Sequence, residues 1–175
     1  NVTVMVTSRE RLRLRGEQTY EVDVMRVPPA DLNDVDTLAL YPSVELFVNG
    51  AKRNAPDFEL DAENAADVGR IINMVLGIPL GIELATGWME MLSVAEIASE
   101  IEASLDFLET DLRDVPERHR SLRAVADHSW KLLTESEQDA FMKLSLFRDG
   151  FERSAAQAIT GTSLRTLTAL GNKSL

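Results

Sequence analysis

Cysteine is absent from the 175 residues, which excludes disulfides and thiolate metal sites, and nothing in the composition points to an oxidising compartment. Long apolar runs are absent too: none approaches the ~20 residues a membrane span needs, and no signal-peptide pattern opens the chain. His is scarce, and its two copies, His119 and His128, are not at a metal-ligand spacing. The acidic stretch Glu59, Asp61, Glu63, Asp67 lacks the ligand order of a calcium loop. No Ser-His-Asp pattern and no phosphate loop of the form GxxxxGK[ST] occurs, so the chain by itself is expected to catalyse nothing. Net positive charge is missing as well. The formal charge is −11, which repels nucleic acid by its field.

That charge is unevenly spread. Residues 1–117 carry nine Lys and Arg against 23 Asp and Glu, whereas residues 118–175 carry nine against six. The sign change near Pro116 marks a domain boundary. Both termini read as cuts: VTVMVT starts directly after Asn1, and the chain stops at NKSL.

The hydrophobic fraction of 45% is enough for a core. Residues 2–7, VTVMVT, have the β-branched character of a strand covered on both faces. Residues 19–25, TYEVDVM, alternate like a half-exposed strand, which Pro28-Pro29 ends. The period then becomes helical. Val44, Phe47, Val48 and Ala51 share one face. Asp61 is placed to cap a helix carrying Ala65, Val68, Ile71, Ile72 and Val75, with Gly77 closing it. Another helix follows Pro79. Ser93 and Glu96 form a capping box ahead of Ile97, Ile101 and Leu105. Beyond Pro116 a helix spans SLRAVADHSWKLL, and Thr134 and Glu137 form a second box ahead of Phe141, Met142, Leu144 and Leu146. Two short helices close the chain, one ending at Gly161 and one capped by Ser163. Trp88 and Trp130 fall at core positions.

Two stretches carry candidate chemistry. VTVMVTSR puts Thr7, Ser8 and Arg9 at the C-terminal end of a strand, the edge where ligands sit in open α/β sheets. Arg9 there can fork onto phosphate oxygens; the plain alternative is one exposed Arg in a loop with Arg11, Arg13 and Arg15. GIPLG combines a Gly that permits close backbone approach with a Pro that fixes φ at a helix start. It forms a flat apolar surface with free amides on which a purine could rest. The plain alternative is a joint between two helices, with Gly77 as C-cap and Pro79 at the first helical position.

An ordered series of blocks, VTSRERLRLRGEQ, VELFVNGAKRNAPDFEL, ENAADVGRIINMVLGIPLGIELATG, LSVAEI and VPERHRSLRAVADHSWKLLTESEQDAFMKLSLFRDGFERSAAQAITG, ending in LTALGNKSL, resembles the STAND (NB-ARC-type) signalling ATPases, in particular the large LuxR-type bacterial transcriptional regulators. The resemblance covers nearly the whole chain. It implies a mainly α fold: residues 1–36 as remnant β-strands of an AAA+-like nucleotide-binding α/β domain, 37–115 as a four-helix lid, and 116–175 as a truncated winged-helix domain. It implies that Arg9 senses the γ-phosphate and that Pro79 packs on adenine, with Thr7, Ser8 and Gly77 beside them. ATP or ADP with Mg would bind the whole protein, which would be a slow ATPase switch, but not bind tightly to this chain alone, which lacks Walker A and Walker B. Partners would be other domains of the same polypeptide and further copies of it in the cytoplasm, with DNA touched only through a separate domain. Departures from the family pattern fall at Gly81 and Gly87, where Ala is usual, and at Asn49-Gly50, where charged residues are. The competing reading is an autonomous acidic helical module that binds protein partners without nucleotide.

Overall fold

The computed structural model describes residues 3–8, 11–12, 14–110, 116, 119–147 and 150–173. It is mainly helical, at 57% helix, and divides into two compact units: Val22–His128, and Asn1–Glu21 with Ser129–Leu175.

In the Val22–His128 unit, α1 (Val35–Leu38) is a single turn capped by the Asp34 carboxylate, which accepts from the Thr37 amide at 2.9 Å. α2 (Pro42–Asn54) starts on a proline and buries Val44, Phe47 and Ala51, the face its spacing predicts. α3 (Ala65–Met74) buries Val68, Ile71 and Ile72. Its cap position is Asn64 rather than the expected Asp61. Asp61 instead holds the preceding turn, accepting from the amides of Glu63 and Asn64 at 2.8 and 3.0 Å. α4 (Pro79–Gly87) runs into a 3-10 turn, Trp88–Glu90. α5 (Val94–Ala103) carries the expected capping box: the Ser93 hydroxyl accepts from the Glu96 amide and the Glu96 carboxylate accepts from the Ser93 amide at 2.8 Å. Leu105, expected inside, is exposed, because α5 ends at Ala103 and a 3-10 turn follows.

These helices close around one cluster of seventeen buried apolar residues. α2 packs chiefly on α4, and α3 on α5. The α2–α4 crossing is set by Gly50, where an added Cβ would lie 2.5 Å from the Thr86 hydroxyl. Asn54 fastens the same crossing by donating to the carbonyls of Thr86 and Gly50 at 2.8 and 3.2 Å. Trp88, half-buried, stacks on Phe107 at 4.6 Å.

α6 (Leu122–Lys131) spans the division between the units. In the other unit follow α7 (Glu135–Leu144), α8 (Arg153–Thr160) and α9 (Leu164–Asn172). The second capping box forms as expected at Thr134 and Glu137. Gly161, at φ +64°, ends α8, and the Ser163 hydroxyl caps α9. Leu133, Ala140 and Leu170 are buried, with Trp130, Phe141 and Leu144 packed on them; Met142 and Leu146 are exposed.

Among the described residues the expected strands do not form. Residues 3–8 and 19–25 are irregular, and the single antiparallel bridge among the described residues joins Glu109 to Ser121. A strand is stable only when neighbours complete its ladder and cover its face. Here Met5 and Tyr20 are 94% and 90% exposed. A β-like composition is therefore not enough without a sheet to join. Beyond Pro116 the described residues likewise hold helices and no wing strand. Around the expected boundary near Pro116, residues 111–115 and 117–118 lie outside the described residues.

Candidate functional site: the Gly77–Pro79 turn

α3 ends in a Schellman motif. The Gly77 amide donates to the Ile72 carbonyl at 3.0 Å and the Leu76 amide to the Asn73 carbonyl at 3.0 Å, the paired bonds that satisfy a helix's last carbonyls. The usual left-handed glycine is displaced by one position. Leu76 takes the left-handed conformation at φ +53°, and Gly77 follows at φ +65°. Leu76 is the one non-glycine with positive φ among the described residues, a geometry costing roughly 1–2 kcal/mol for an L-residue. Ile78 is extended, as a residue before proline must be, and Pro79 opens α4.

Gly77 is required twice over. Its φ favours glycine, and a Cβ there would fall 2.2 Å from the Met25 carbonyl oxygen and 3.0 Å from Val27 Cγ1. The close backbone approach read from the sequence is thus real, and its partner is the chain's own Met25, whose amide donates to the Gly77 carbonyl at 3.2 Å. Gly81 has a packing reason as well, since its Cβ would lie 2.9 Å from Val75 Cβ. Gly87 faces open space.

The expected row of free amides is shorter than the sequence suggests. Those of Gly77 and Ile78 are taken by Ile72 and Val75, which leaves the first-turn amides of Leu80 and Gly81, and Gly81 is buried. Pro79 itself is exposed, and Leu76, beside it in the turn, is 67% exposed. The turn therefore offers a rigid ring and an aliphatic side chain to solvent over a buried glycine.

Of the other candidate residues, Thr7 and Ser8 are exposed and irregular, and belong to the unit containing residues 129–175. Arg9 lies outside the described residues. The structure brings Gly77 and Pro79 together on one turn. Among the described residues no group of three or more His, Asp or Glu could hold a metal ion, and no helix is long and apolar enough to cross a membrane.

Sequence reasoning missed the residues that brace the turn. The buried Ser43 hydroxyl donates to the Arg26 carbonyl at 2.7 Å. The Asn73 amide nitrogen donates to the Pro28 carbonyl at 3.0 Å and to the Gly69 carbonyl at 2.9 Å. Pro28 is fully buried. The shifted carboxyl groups belong to structural contacts elsewhere. Asp34 is lowered chiefly by the Thr37 hydroxyl, Glu96 by the Ser93 hydroxyl, and Glu137 by the Thr134 amide with help from Lys173.

No protein-family model matches the chain, and no solved structure does. Proteins of Mycobacterium bovis and Mycobacterium tuberculosis that carry the provisional name of HTH-type transcriptional regulator are 36% identical to it over 99% of its length. An uncharacterized protein of Mycobacterium bovis is 32% identical over 90% of the chain. The chain spans 19% of the first relatives and 37% of the other.

Proposed function

We infer that this chain is a regulatory segment of a larger transcriptional regulator, and that the larger protein is an ATP-dependent switch of the STAND type in which the Gly77–Pro79 turn supports the adenine ring. The observation that carries the regulatory part is the near full-length likeness to one fifth of a protein bearing a transcriptional regulator's name. The nucleotide part rests on the motif resemblance and is supported by the exposure of Pro79 on a braced turn. In this reading the apolar segments at residues 3–8 and 19–25 complete a sheet supplied by the nucleotide-binding domain, and Arg9 contacts the γ-phosphate. Exchange of nucleotide biases a two-state arrangement of domains and the self-association that follows; DNA is read by a separate domain.

The test is nucleotide titration of the full-length protein. Pro79→Ala is expected to weaken ATP and ADP alike by roughly tenfold, about 1.4 kcal/mol, because the base is common to both. Arg9→Ala is expected to weaken ATP selectively. Unchanged affinities in both variants would overturn the nucleotide reading. The 175-residue chain alone is expected to show no micromolar ATP affinity in calorimetry. The rival reading, an acidic protein-interaction module, draws on the self-sufficient core of the Val22–His128 unit, and would be favoured if the full-length protein bound no nucleotide.

A further inference from the structure

The segment Met25–Pro29 precedes the described helices, yet three groups from three places in the bundle hold it. The Met25 amide bonds to the Gly77 carbonyl, the Arg26 carbonyl accepts from Ser43 at the start of α2, and the Pro28 carbonyl accepts from Asn73 near the end of α3. The Pro28 ring is buried among them, while Met25 and Val27 are only partly buried against the core. The hydrogen bonds of this hold all fall on main-chain atoms of the segment, and the buried Pro28 ring with the partly buried Met25 and Val27 adds apolar contact. Hydrogen bonds of that kind contribute modestly after exchange with water, and five ordered residues oppose them with lost backbone entropy. The seventeen-residue apolar cluster beneath is drawn from other residues, with Met25 and Val27 packed against it. Opening of the segment is thus a local event, separable from unfolding of the bundle.

We propose that Met25–Pro29 is a releasable clip: closed, it fixes the chain ahead of residue 25 to the Gly77–Pro79 turn; open, it frees that chain while α2 to α5 stay folded. The anchor is the carbonyl of Gly77, two residues from Pro79. A ligand seated on Pro79 therefore biases the clip, and the clip biases the ligand by the same factor; this coupling step rests on the nucleotide reading, whereas the clip itself does not.

The test uses trypsin and amide hydrogen exchange on the 175-residue chain. The Arg26 side chain is exposed, but its carbonyl is held by Ser43, so Arg26–Val27 is expected to resist cleavage while exposed Arg15 is cut. Ser43→Ala should speed exchange at the Met25 amide roughly tenfold, the equivalent of one lost hydrogen bond, and open Arg26 to trypsin. Gly77→Ala, whose Cβ collides with the Met25 carbonyl, should do the same more strongly. Exchange in α2 and α5 should stay unchanged in Ser43→Ala. Cleavage at Arg26 in the unaltered chain as fast as at Arg15 would overturn the clip, as would loss of protection throughout the bundle in Ser43→Ala. In the full-length protein, ADP should slow exchange at Met25. Binding of ADP without that slowing would overturn the coupling, and absence of ADP binding would overturn the nucleotide reading and leave the clip to the two variants.

Discussion

The two compact units are built from the same kind of short, well-capped helix, yet among the described residues one closes over a cluster of seventeen buried apolar residues and the other over a cluster of three. In the Val22–His128 unit apolar burial dominates, and a few part-buried polar contacts, those of Ser43, Asn54 and Asn73, fasten particular crossings. Among residues 129–175 the balance is reversed. There Glu137 is nearly buried, accepts from the Thr134 amide at 2.7 Å and pairs with Lys173 at 2.9 Å, and Lys173 also donates to the Leu132 carbonyl at 2.9 Å. One carboxylate thus joins the start of α7 to the end of α9. Its counterpart in the bundle, Glu96, serves only its own helix. The same capping motif is local in one unit and tertiary in the other, and the size of the surrounding core makes the difference.

The strongest way to break this comparison is to open the larger core. Phe47→Ala should lower the stability of the bundle by about 3–5 kcal/mol, read as a shift of its transition in denaturant. Unfolding of residues 129–175, followed by the fluorescence of Trp130, should move far less. Equal shifts in both would show that the two units unfold as one.

A second probe acts on the helix crossing. Gly50→Ala forces a methyl against Thr86 and should destabilise the bundle by about 1–3 kcal/mol. Thr86→Ala in the same chain should recover most of that loss. If Gly50→Ala is neutral, the crossing is not held at the distance described.

The two capping boxes sharpen the contrast further. Thr134→Ala should cost about 1 kcal/mol, as N-cap removal does. Both box carboxylates are held below the ordinary glutamate value by the hydrogen bonds of their boxes. Their contribution is therefore present above that value and lost as the pH falls from it toward the lowered folded one. Glu137→Gln should flatten the acid limb of stability for residues 129–175 and loosen α9, seen as faster amide exchange there. Glu96→Gln should affect α5 alone. An identical response in the two variants would erase the distinction between local and tertiary boxes.

The smallest expected effect is a gain. Gly87 has ordinary helical angles and nothing near its absent Cβ, so Gly87→Ala should stabilise the bundle by about 0.4–1 kcal/mol. Gly81→Ala, opposed by Val75, should not. A rise in Tm for Gly81→Ala equal to that for Gly87→Ala would contradict the packing described.

What the sequence reveals about this molecule is what repeats within a few residues. The spacing of Val44, Phe47 and Ala51, the paired Ser93 and Glu96, the paired Thr134 and Glu137, and Gly161 past α8 all form as read. Local physics determines them. The candidate turn was legible as a helix end followed by a helix start, but not in its bracing. Ser43 and Asn73 bind main-chain carbonyls, which every residue carries, so no residue type announces the partner. The shift of the left-handed position onto Leu76 was hidden because Gly77 invites the simpler assignment. The strands failed for the opposite reason: β-branched side chains state a preference, while a ladder depends on neighbours no local pattern supplies. Arg9 lies outside the described residues, so its role rests on resemblance alone.

The meeting of Gly50 with Thr86 also carries a rule about descent. Position 50 lacks a side chain because position 86 spends its hydroxyl on the Glu83 carbonyl at 3.0 Å and leaves no room opposite. The two positions lie 36 residues apart in the chain and cannot drift independently. A lineage that acquires a larger residue at 50 must first, or at once, shrink residue 86 or spread α2 from α4. Across many relatives the two columns should therefore covary in volume, while neither need be invariant. Such a pair would identify this crossing in sequences too distant for their motifs to be read.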